Sequence, residues 1–148
     1  MYTIKPCSKY DLPRVLELSK LWAAEGITLG YENVQHTMES LEKRLNGYFY
    51  VAAVGDEVVG YVFGDVRKGM AAPAIPLEEE YLEIFEIYIH PDHRKQGLGK
   101  RLVAEVIQQA ESRGIDRALV GSSNQRWAET AAFYEQLGFK MWYIQMFK

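Results

Sequence analysis

The run that most constrains this chain is Ile84-Phe85-Glu86-Ile87-Tyr88-Ile89-His90-Pro91-Asp92-His93-Arg94-Lys95-Gln96-Gly97-Leu98-Gly99-Lys100-Arg101-Leu102. An apolar, β-branched stretch stops at Pro91, a short basic turn follows, and a helical pattern opens at Leu98. A strand that ends in a glycine-containing turn and feeds a helix builds an anion site. The amides of the turn and the first unpaired amides of the helix converge on one spot. Gly97 and Gly99 have no Cβ to keep a phosphate off the backbone. Arg94, Lys95, Lys100 and Arg101 surround that spot with positive charge. Two other phosphate loops are excluded. Leu102 stands where a dinucleotide fingerprint needs its third glycine, and no G-x-x-x-x-G-K-[ST] segment occurs.

A chain of 148 residues is long enough for one domain with a real core, here taken as 1–148. The net charge of −3 argues against broad nucleic-acid binding and leans toward cationic partners. No apolar run approaches the ~20 residues of a membrane span, and Met1 to Lys5 lack the apolar core of a signal peptide. Cys7 is the sole cysteine, which suits a reducing compartment, so a cytoplasmic protein is expected. His36, His90 and His93 lack the spacing of a metal site, and no metal is expected.

The remaining elements read in order. Residues 2–6 form a first strand. Asp11 and Pro13 open a helix whose inner face carries Leu12, Val15, Leu16, Ser19 and Trp22 and which stops near Gly26. Val34, Met38, Leu41 and Leu45 mark a second amphipathic helix closed by Asn46-Gly47. Strands at 48–54 and 58–65 flank a turn at Gly55-Asp56-Glu57. An irregular excursion over 67–79 precedes the strand at 81–89. Then come a helix at 98–112, a strand at 117–120, a helix at 127–136 and a final apolar, aromatic strand from Phe139. The order β-α-α-β-β-β-α-β-α-β predicts an α/β (α+β) fold, a mixed and partly antiparallel sheet flanked by helices. The 48–65 hairpin interrupts the repeated βαβ units of a Rossmann fold.

Arg94-x-x-Gly97-x-Gly99 resembles the acyl-CoA pyrophosphate loop of the GCN5-related N-acetyltransferase (GNAT) superfamily. Phe133-Tyr134-Glu135-Gln136-Leu137-Gly138-Phe139 resembles the F-Y-x-x-x-G-F signature on that family's last helix. The element order is similar across nearly the whole chain. The resemblance implies a splayed parallel strand pair, at 81–89 and 117–120, with the pantetheine arm of acetyl-CoA in the gap. It assigns the cosubstrate to the backbone of Ile87, Tyr88 and Ile89. It assigns the pyrophosphate to the turn Arg94, Lys95, Gln96, Gly97, Leu98, Gly99 and Lys100. Where many relatives carry an asparagine seven residues before the tyrosine, this chain has Trp127, with Asn124 three residues earlier.

Acetyl transfer to an amine needs a proton acceptor for the amine, stabilisation of the thioester oxygen and a proton for the leaving thiolate. By resemblance Tyr134 is the acid and a backbone N–H of Ile87 or Ile89 the oxyanion donor. Glu83 is the first choice for the base, with Glu86 or a water chain as the alternatives. Strict alternation puts Glu83 and Glu86 on opposite faces of the strand unless a β-bulge intervenes. The expected reaction is direct attack by a primary amine in a ternary complex, without a covalent enzyme intermediate. A non-catalytic acyl-CoA sensing module is the rival reading, and a protein N-terminus or lysine an alternative acceptor. The acidic stretch 78–86 favours a small cationic amine, and Trp22, Tyr31 and Trp142 are candidate aromatic walls for it. The uncharged segment 141–147 predicts pairing with a second copy.

Overall fold

The computed structural model describes residues 1–69 and 74–148; positions 70–73 of the 67–79 excursion lie outside the described residues. Within the described residues, five strands, β1 (Tyr2–Pro6), β2 (Phe49–Val54), β3 (Glu57–Lys68), β4 (Glu80–Ile89) and β5 (Ala118–Val120), form one sheet in the order β1-β2-β3-β4-β5. The first four are antiparallel neighbours, while β4 and β5 run parallel. This is the mixed sheet that the sequence pattern predicts. The β2–β3 turn closes through Gly55 at φ 58°, a left-handed angle that costs glycine little.

Among the described residues, four helices cover the sheet: α1 (Leu12–Glu25), α2 (Met38–Glu42), α3 (Leu98–Glu111) and α4 (Trp127–Glu135). On one face, Leu98, Leu102, Val103, Val106 and Ala110 of α3 and Tyr134 of α4 pack on Ala52, Val59, Val62, Leu82 and Ile84. On the other, Leu12, Val15 and Leu18 of α1 and Leu41 of α2 pack on Phe49, Val51, Tyr61, Phe63 and Tyr88. Both faces of β2 and β3 are therefore covered, which explains their nearly unbroken apolar runs. α1 starts beside Pro13 and ends at Gly26, whose φ of 67° stops the helix.

Three expectations need correction. The second helix is five residues long, not a span from 34 to 45. Thr37 and Ser40 form a reciprocal capping box that starts it at Met38, and of its apolar residues only Leu41 is buried. Val34 instead closes a 3₁₀ turn, Tyr31–Asn33. β3 continues beyond 65, because Val66, Arg67 and Lys68 still pair with Leu82, Tyr81 and Glu80. The segment after Phe139 forms no strand. Residues 140–148 are exposed, and apolar character there was a sign of burial that this chain alone does not supply.

Candidate active site

The parallel pairing of β4 with β5 is brief: Leu82, Glu83 and Ile84 face Ala118, Leu119 and Val120, and there it ends. The chain after β5 is drawn away to the connection behind α1. Ser123 O accepts from Leu29 N–H at 3.0 Å, Gln125 N–H donates to Ile27 O at 2.8 Å, and Thr28 bridges Asn124. Among the described residues, one edge of β4 from Phe85 to Ile89 is thus left without a strand partner. His90 N–H donates to Val59 O at 2.8 Å. Antiparallel alternation then turns the backbone groups of Tyr88 toward β3 and those of Ile87 and Ile89 toward the open edge. The splayed pair is present, and the backbone N–H groups of Ile87 and Ile89, unlike those of Tyr88, face its open edge.

The basic turn follows directly. Pro91–His93 makes a 3₁₀ turn, Lys95 (φ 63°) and Gly97 (φ 77°) are left-handed, and Gly97 is the N-cap of α3. Lys95, Gln96, Gly97 and Lys100 are exposed, whereas the Leu98 side chain is buried in the core and offers only its backbone. The two glycines do different work. A Cβ on Gly97 would meet open space, so its φ is what demands glycine. A Cβ on Gly99 would lie 3.2 Å from the Phe133 ring, so its absence lets α4 approach the start of α3. Arg94 turns inward. Its Nε donates to Ile89 O at 2.9 Å, and its Nη1 and Nη2 donate to Glu25 Oε2 and Oε1 at 3.1 and 2.7 Å.

Tyr134 lies on α4 beside Phe133, packed edge-on against Phe133 and Phe139, in the cluster that also holds Ile87 and Ile89. Burial alone pushes its phenol up to about 12, so it is a protonated donor at neutral pH. Trp127, at the family's asparagine position, is exposed, and Asn124 is occupied by accepting from Arg126 N–H at 2.8 Å. Cys7 is pushed up to about 12 by burial and the Asp11 charge, which leaves no thiolate nucleophile at neutral pH.

The glutamates are arranged by a bulge. Phe63 pairs with Glu86 but Gly64 with Ile84, so Phe85 is the extra residue. Phe85 and Glu86 consequently both face α1 and α2, and Glu83 faces the same way. Glu83 is half-exposed and paired with Arg67 Nε at 3.3 Å. Glu86 is enclosed. It accepts from Tyr31 OH at 2.7 Å and Tyr61 OH at 3.0 Å, and His36 Nε2 lies 2.6 Å from its Oε2. Tyr31 is further held by Ser19 at 3.0 Å and stacks on Trp22 with ring centres 3.8 Å apart. Trp22 and Tyr31 thus meet as the sequence suggests, and Tyr88 joins them at 5.3 Å from Trp22, whereas Trp142 pairs with Tyr143 at the chain's end. A cavity of about 200 Å³ lined by Ser19, Ala23, Tyr31, Glu32 and His36 adjoins this network. His36 and Tyr61 escape sequence reading. They lie 50 and 25 positions from Glu86, and no local spacing announces either contact.

The comparisons with known proteins agree with this geometry. The profile of the Acetyltransferase (GNAT) family matches residues 15–139. An uncharacterized N-acetyltransferase of Methanocaldococcus jannaschii is 32% identical over 145 residues, covering 94% of this chain and 61% of that protein, so the chain spans about three-fifths of that relative's length. A crystal structure of a GCN5-related N-acetyltransferase from Ralstonia eutropha superposes with a TM-score of 0.75 at 21% identity, over 100% of this chain and 97% of that one. The structure of AAC(6')-Iy in complex with the bisubstrate analogue CoA-S-monomethyl-acetylneamine superposes with a TM-score of 0.76 at 16% identity, over 100% and 97%. This chain belongs to the acetyltransferase (GNAT) family, a family of acyltransferase enzymes.

Proposed function

We propose that residues 1–148 act as one acetyl-CoA-dependent N-acetyltransferase domain, cytoplasmic, whose acceptor is a primary amine, a small cationic amine before a peptide amine. The observation that carries this reading is the unpartnered β4 edge running straight into the exposed turn at Lys95 to Lys100. An extended amide-containing arm pairs with such an edge as an added strand does, and the turn amides at the head of α3 receive its diphosphate. Acetyl-CoA supplies the activated thioester. The residues of the chain do the rest. Ile87 or Ile89 N–H donates to the carbonyl oxygen as it gains charge, and the Tyr134 phenol gives its proton to the departing sulfur. Glu83, accessible beside Arg67, takes the proton of the attacking amine. Glu86 already has three polar partners and serves better as a fixed negative charge that attracts the ammonium form than as a free base. The fold neighbour described above holds a bisubstrate analogue that joins CoA to an acetylated neamine, and this supports an amine class rather than one amine.

Calorimetric titration with acetyl-CoA, in parallel with dephospho-CoA and NAD, tests the reading. Saturable micromolar binding of acetyl-CoA with no binding of NAD is expected, followed by thiol release with small amines. A folded protein that binds no acetyl-CoA would overturn it.

A further inference from the structure

We propose that Glu25 is a positioning residue for the cosubstrate, fastening the first residue of the phosphate turn to the last turn of α1. This inference rests on the acetyl-CoA reading above. Both carboxylate oxygens of Glu25 bind Arg94 in a parallel fork, at 2.7 and 3.1 Å, and Tyr88 OH also donates to Oε1. The third anchor is Arg94 Nε on Ile89 O. The guanidinium also lies over the Tyr88 ring, 5.3 Å from its centre. Arg94 is therefore tied to α1, to the end of β4 and to the ring between them. Turning it outward to a phosphate would strand a carboxylate whose side chain is only 18% exposed.

A division of labour follows. The arginine that opens the motif shapes the turn, and the amides from Lys95 to Lys100 meet the diphosphate. The direction of the Glu25 pKa is consistent with this. Burial works against ionisation, but the hydrogen bonds from Arg94 and Tyr88 and the guanidinium charge outweigh it and hold the carboxyl below its ordinary value. The same turn of α1 carries Trp22, stacked between Tyr31 and Tyr88, so one helix end touches the cosubstrate turn and the tyrosine that holds Glu86.

The test is a double-mutant cycle on acetyl-CoA binding with Glu25→Ala, Arg94→Ala and both together, with S-acetylpantetheine, which lacks the diphosphate, as a second acetyl donor. Each single variant is expected to weaken acetyl-CoA about tenfold, the scale of one charge-assisted contact. The double variant should be no weaker than either single one. The KM for S-acetylpantetheine should rise clearly less than the KM for acetyl-CoA, because the tether acts on the part of the turn that meets the diphosphate. If Glu25→Ala leaves affinity unchanged or tightens it while Arg94→Ala weakens it, Arg94 grips the diphosphate itself and the proposal is wrong. Additive losses, or equal losses with both donors, overturn it too. Glu25→Gln, which keeps the side-chain shape, carries the same expectations should the alanine variant fail to fold. A wild-type protein that binds no acetyl-CoA would sink the functional reading and this inference with it. Wild-type binding that Glu25→Ala and Glu25→Gln leave intact sinks the inference alone.

Discussion

In the proposed mechanism, Tyr134 is where a single side chain bears most directly on the chemistry. Desolvation favours its neutral form, so the phenol keeps its proton well past the ordinary tyrosine range near 10, up to about 12. The sign follows: an acid whose pKa is raised is fully competent below the ordinary value and is lost only as pH climbs toward the raised one. Tyr134→Phe should therefore lower kcat by about a hundredfold, the usual scale for a positioned acid, while acetyl-CoA affinity holds. In the wild type the alkaline limb of kcat should lie above the ordinary tyrosine range, and a limb below 10 would remove Tyr134 from the acid role. Tyr134 was readable because its neighbours Phe133, Gly138 and Phe139 form a local pattern. His36 was not, since its meeting with Glu86 depends on where the Thr37–Ser40 cap places a helix start, not on any spacing along the chain.

Among the elements, β4 organises the site through its bulge, and the bulge depends on Gly64. A Cβ at Gly64 would collide with the backbone carbonyl oxygen of Glu83, at the point where the register shifts between Phe63 and Gly64. Backbone cannot give way as a flexible side chain can. Gly64→Ala should destabilise the fold by roughly 1–3 kcal/mol, the range for forced overpacking, and disturb the placement of Glu86. Thermal melts compared with Gly121→Ala, a position with open space around its Cβ, provide the check; equal melting temperatures would show that the strand pair absorbs the clash. The strands and α3 were legible because period-two and period-3.6 patterns reflect burial on one or both faces. The bulge was not, because it arises from a pair of strands and leaves no mark in either one alone. α2 was overread for the opposite reason: Val34, Met38 and Leu41 have helical spacing, yet a local cap outweighs it and leaves Val34 and Met38 exposed.

For the whole molecule, the exposed apolar residues of 140–148 bear on its form. Met141, Tyr143, Ile144, Met146 and Phe147 are each more than half exposed, and they lie in the same chain as β5, a three-residue strand that ends the sheet. An uncovered apolar segment and a short sheet edge are complementary, so two copies can extend each other's sheets by exchanging these segments. Burying four such side chains from each of the two copies is worth roughly 12–24 kcal/mol, at about 1.5–3 kcal/mol each. The cost of association is about 4–15 kcal/mol, and the difference between the midpoints of the two ranges, about 8 kcal/mol, corresponds to micromolar dissociation rather than an obligate pair. Sedimentation velocity across a concentration series should accordingly show a monomer–dimer equilibrium. Ile144→Lys together with Phe147→Lys should shift it to monomer without weakening acetyl-CoA, because the proposed cosubstrate edge of β4 and the turn before α3 belong to one copy. A wild type that sediments as monomer at every concentration would show that the segment is solvated and that its aromatic content serves some other contact.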